Sequence, residues 1–118
     1  MLKKTLMFSL LGLASTGAFA GNADFTLVNK TGYAINEVFI SPTKQDNWGK
    51  DRLGENQFLN GDKRTFRFGD TKHCNQDIKV IFTEGQEEVE WENINLCEAE
   101  KITLKYNRKS GEVSAEIE

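Results

Sequence analysis

The chain has 118 residues, with 15 basic and 18 acidic side chains, one histidine and two cysteines. That length suits one compact domain. The acidic balance argues against a nucleic-acid or anionic-lipid surface, because phosphate binding leans on clustered lysine and arginine.

Residues 1–20, MLKKTLMFSLLGLASTGAFA, differ in kind from the rest. Lys3 and Lys4 form a basic start, Leu6 to Leu13 a short, mostly apolar run, and Ala18-Phe19-Ala20 the small-x-small pattern of a signal-peptidase site. The apolar run is too short for a membrane span, which takes about twenty such residues. No cysteine follows it to take a lipid. We expect a cleaved export signal of bacterial type, leaving residues 21–118 as a single domain in the periplasm or medium, without a membrane after cleavage. Loss of Lys3 and Lys4 would leave 13 basic against 18 acidic side chains, a net charge of −5.

Period-two alternation runs through most of the remaining chain. Phe25 and Leu27 mark a first strand, and Lys30-Thr31-Gly32 a turn. Tyr33 to Ser41 is a second strand, where the unbroken run Val38-Phe39-Ile40 suggests burial on both faces and hence a central position. Pro42, the only proline, ends it. After the polar segment Thr43 to Asn56 come a short strand near Gln57 to Leu59 and another over Lys63 to Phe68. In the C-terminal half, Asp77 to Thr83 and Glu87 to Glu92 form a hairpin around Glu84-Gly85. Lys101 to Asn107 and Glu112 to Ile117 form a second, with Val113, Ala115 and Ile117 expected to face inward. Seven or eight short strands in under a hundred residues predict an all-β, antiparallel β-sandwich, with a small barrel as the alternative.

Cys74 and Cys97 allow one intramolecular pairing, and an exported chain meets an oxidising compartment, so a single disulfide is expected. A redox or zinc role lacks support: there is no CxxC, and His73 is the only histidine. Without a nucleophile motif, and with Glu88, Glu90 and Glu92 laid out along one strand face, no catalytic residue is expected and the chain reads as a non-enzyme. No cofactor is implied. Calcium would need loop oxygens, for which Asp46, Asp51, Glu55, Asp62 and Asp70 are the candidates, although the EF-hand pattern is absent. Asn29-Lys30-Thr31 matches a glycosylation sequon that carries little information in a bacterial product.

The segment DNWGKDRLG concentrates what remains. Gly49 and Gly54 give the backbone freedom, so Trp48 and Leu53 can fold back as a lid over the core; this is the expected arrangement because it explains the ring without invoking function. Displayed instead, Trp48 with Lys50, Arg52 and Leu53 would anchor a protein or glycan partner.

The run VNKTGYAINEVFISPTKQDNWGKDRLG, with LNGDKRTFRF, Cys74-Asn75-Gln76-Asp77, INLC and KITLKYN, resembles a family of small exported bacterial proteins, mostly uncharacterised. The resemblance covers nearly the whole of residues 21–118 and implies a single β-rich domain with no activity to transfer. Some members are labelled argininosuccinate lyase, a large and mainly helical enzyme; nothing of it is visible here, and we reject that label. The leading expectation is a binding module for a protein or cell-envelope component. A calcium- or glycan-binding accessory domain is the second, with an inhibitor or immunity role against a toxin or hydrolase as a special case of the first.

Overall fold

A computed structural model describes residues 22–118; the expected export segment, 1–20, lies outside the described residues. The alternation resolves into seven strands: β1 (Phe25–Lys30), β2 (Ile35–Pro42), β3 (Lys63–Phe66), β4 (Asn75–Phe82), β5 (Glu88–Asn95), β6 (Lys101–Asn107) and β7 (Glu112–Ile117). They form two sheets packed face to face, ordered β3-β1-β6-β7 and β2-β4-β5, which is the expected β-sandwich. Residues two apart share a face, so Phe25, Leu27, Ile102 and Leu104 of one sheet meet Val38, Ile78, Val80, Phe82 and Trp91 of the other, all buried. One pairing departs from the antiparallel expectation. β1 and β6 run parallel, which places the N-terminal strand at the centre of the larger sheet.

β2 is an edge strand, not the central one its apolar run predicts. Phe39 is half-buried on the outer face because Lys79 and the 43–56 segment cover it, so a loop supplies the cover that a neighbouring strand was expected to give. The stretch near Gln57 to Leu59 is reduced to one bridge, Ile35 with Phe58, yet Phe58 is fully buried in the core. On β7 only Ala115 is half-buried, while Val113 and Ile117 are exposed, contrary to expectation. Four strands face three, so the outermost strand of the wider sheet is covered only where Trp91 reaches it.

The residues of the sequon are structural. Asn29 has no exposed surface; its Oδ1 accepts from the Thr31 N–H and hydroxyl, and its Nδ2 donates to the carbonyls of Tyr33 and Phe58. One side chain thereby satisfies a turn and a passing segment that lack a ladder of their own. Replacing Asn29 with Ala removes these hydrogen bonds and leaves the buried Thr31 N–H without its acceptor, which is expected to cost about 2 kcal/mol, readable as a shifted urea midpoint with unchanged slope.

Cys74 and Cys97 are bonded, as expected. Cys74 immediately precedes β4, and Cys97 sits in a 3₁₀ turn (Leu96–Glu98) where the chain passes from the smaller sheet to the larger. The bridge therefore anchors that crossover.

Candidate functional site

The 43–56 segment is held along the free edge of β2. The Arg52 N–H donates to the Val38 carbonyl at 2.8 Å, and Asp51 Oδ1 accepts from the Val38 N–H at 2.9 Å and from the Leu53 N–H at 3.0 Å. Asp51 thus plays the part of a strand carbonyl, and β2 is blunted against further pairing. Further along, the Ser41 hydroxyl oxygen accepts the Asn47 N–H, and left-handed backbone at Lys44, Asp46 and Gly49 folds the segment back on itself.

This arrangement divides the two expected lid residues. Leu53 is buried in the core, which removes it from the partner-facing set. Trp48 is not in the core; it lies half-buried beside Lys79, whose Nζ sits 4.6 Å from its ring and 5.2 Å from that of Phe39. The lid is therefore Leu53 alone, because Asp51 turns the two side chains to opposite sides of the β2 edge. Trp48→Ala is expected to cost only about 1 kcal/mol, the scale of a partly buried ring with one cation–π contact, measured as a denaturant midpoint against the wild type.

Between this segment and β3 runs a groove of about 580 Å³, within the range of ligand sites. The segment supplies Trp48, Lys50 and Arg52 to one wall, and β3 with its continuation supplies Arg64, Thr65 and Arg67 to the other. Arg52 stacks on Phe68 at 4.6 Å, and Arg64 lies over Phe58 while its Nη1 donates to the Leu53 carbonyl at 3.3 Å. Burial lowers the pKa of Arg52 from its ordinary value. Among the described residues, ion pairs are made by Lys101, Lys105 and Arg108, and neither Lys50, Arg52 nor Arg64 has a carboxylate partner. A net-acidic protein thus gathers Lys50, Arg52 and Arg64 in one cleft without ion-pair partners. Thr65, Arg64 and Arg67 were absent from the sequence-based site; the only hint was the basic run KRTFR, which begins eleven positions after Arg52.

The five calcium candidates do not converge. Asp51 serves the β2 edge, Asp62 Oδ2 accepts the Leu59 N–H within a turn, and Asp70 Oδ1 accepts the N–H of Asn22. Among the described residues the close carboxylate group is a different one, Asp77, Glu90 and Glu92 on the outer face of the smaller sheet. Asp77 is buried and accepts from the Thr43 hydroxyl and from the backbone N–H groups of Lys44 and Asn93, which organises the bulge between β4 and β5.

Burial and then Glu92 raise the pKa of Glu90 from its ordinary value, with Lys79 opposing. A carboxyl raised on folding contributes stability below its unfolded pKa and loses it as pH rises through the folded value. Glu90→Gln is therefore expected to stabilise the protein at pH 7, by under about 1 kcal/mol for a partly exposed group. That gain should vanish in melts carried out below about pH 4, where the ordinary carboxyl is itself protonated.

No family model and no curated protein matches the chain. Among solved structures, it is similar to an NMR structure of a protein from Eubacterium rectale, at 16% identity and a TM-score of 0.55, over 86% of this chain and 94% of that one. At that identity the likeness concerns the fold alone.

Proposed function

We propose that the chain is an exported, non-enzymatic binding module that recognises a protein or cell-envelope component through the groove between the Trp48 segment and β3. The observation that carries this reading is the set of unpaired cations, Lys50, Arg52 and Arg64, beside a half-buried tryptophan at the open seam of the sandwich. Ring contacts and the Leu53 carbonyl hold Arg52 and Arg64 in place but leave their charges without a carboxylate, and tryptophan and arginine are among the residue types that most often anchor a partner. Export is supported by the first twenty residues of the sequence and by the disulfide, which persists in an oxidising compartment.

The test is site-directed crosslinking in an envelope extract. A photo-reactive residue at Lys50 should give a discrete adduct that Trp48→Ala suppresses, whereas one at Lys109, in the turn between β6 and β7, should not. Equal adducts from both positions, or persistence of the Lys50 adduct in the Trp48 variant, would refute the reading.

A further inference from the structure

We infer that the groove takes a short acidic peptide segment of a partner in extended form, added as a strand to the free edge of β3. This rests on the proposed binding reading and names its partner class.

The edge geometry comes from the hydrogen bonds of β1. Its Asn29 N–H donates to the Asp62 carbonyl on the β3 side, and its Thr26 N–H donates to the Glu100 carbonyl on the β6 side. Backbone direction alternates along a strand, so Thr26 turns its peptide groups away from β3. Thr65, its register partner, likewise turns its own N–H and carbonyl away from β1 and toward the groove. β3 is the last strand of its sheet, and no strand pairs with it on that side among the described residues.

The other free edges differ. β2 is capped by Asp51 and Arg52, β5 carries Glu88, Glu90 and Glu92, and β7 carries Glu112 and Glu116. Only β3 joins an open edge to a cationic cleft.

Charge selects the occupant. The groove lining includes one carboxylate, Asp51, which is held by the Val38 and Leu53 N–H groups and forms no ion pair with Lys50, Arg52 or Arg64, so a segment with alternating glutamate or aspartate would place its acids against these three cations while its backbone pairs with Thr65. The first twenty residues of the chain have the wrong sign for this, with Lys3 and Lys4 and no acidic side chain. An oligonucleotide would satisfy the charges but not the outward peptide groups.

The experiment measures fluorescence anisotropy of a labelled, end-blocked peptide of eight alternating glutamate and valine residues, with full-length exported protein at low salt. The expected result is binding that weakens as salt rises, with at least tenfold loss for three reagents: the lysine-for-glutamate peptide, the same peptide N-methylated at alternate amides, and the protein variant Arg64→Glu. Thr65→Pro removes one outward N–H while leaving the β1 ladder intact, as proline is tolerated on an edge. It should weaken binding about five- to tenfold, the worth of one hydrogen bond, with an unchanged melting temperature.

Equal affinity for the N-methylated peptide, or for a five-nucleotide oligothymidylate, would overturn strand addition. Concentration-dependent self-association abolished by Arg64→Glu would assign the groove to the β7 edge of a second copy and overturn the inference in that way. Absence of peptide binding while the Trp48-dependent crosslink persists would refute this inference and leave the binding module standing; loss of the crosslink's Trp48 dependence refutes both.

Discussion

Trp91→Ala is expected to destabilise the protein by about 3–5 kcal/mol, the range for removing a large buried aromatic. Trp91 is 2% exposed, and it closes the β5/β7 seam of the sandwich. Its ring meets Tyr106 edge-on at 6.4 Å, and its Nε1–H reaches the carbonyl of Ser114 at 2.8 Å and that of Lys105 at 3.3 Å. One side chain of the smaller sheet is thus hydrogen-bonded to both strands of the β6–β7 hairpin in the larger. Alanine leaves a cavity and removes the only polar tie from this ring across the seam. With total stabilities of about 5–15 kcal/mol for such domains, the loss should lower the melting temperature by roughly 20 °C. Trp91→Phe separates the two contributions, since it keeps most of the apolar volume and loses the N–H. It should cost about 1–2 kcal/mol; a loss equal to that of alanine would show that the hydrogen bond, and not packing, holds the seam.

Removal of the disulfide is the second large effect. Cys74 and Cys97 lie 23 positions apart, so the bridge closes a loop containing the whole β4–β5 hairpin. In the chain-entropy account a loop of this length is worth about 3 kcal/mol through the unfolded state. The double variant with both cysteines changed to alanine should therefore melt on the order of 15 °C lower, with near-native circular dichroism at low temperature. Because the Leu96 N–H still donates to the Cys74 carbonyl and Asn95 Oδ1 still accepts from residue 97, the crossover keeps its local shape. Retention of the full melting temperature would mean that the crossover is already ordered in the unfolded ensemble. Together with the much smaller expected loss for Trp48→Ala, these results would separate residues that hold the fold from the one proposed to meet a partner.

The two tryptophans also show what was legible in the sequence. Trp91 alternates with Glu90 and Glu92, so its inward direction follows from the pleat alone. Trp48 sits among charges and glycines, where no period operates. Its placement depends on Asp51 finding the backbone of Val38, thirteen residues away. Arg64 and Thr65 were missed for the same reason: a site assembled across the seam of two sheets is invisible to a local window. The alternative calcium carboxylates differ again: Asp51, Asp62 and Asp70 accept backbone N–H groups, since loop aspartates serve turns at least as readily as ions.

Strand existence, the faces of most strands and the single cysteine pairing were determined by the sequence itself, because side-chain direction repeats every two residues and two thiols have one intramolecular solution. Only the tertiary structure decided that β1 joins β6 in parallel, that β2 and β7 are edges, and that Leu53 turns inward while Trp48 does not. Those outcomes depend on which distant backbone groups pair, and hydrogen-bonding capacity is the same at nearly every residue, so it leaves no mark in the order of the side chains.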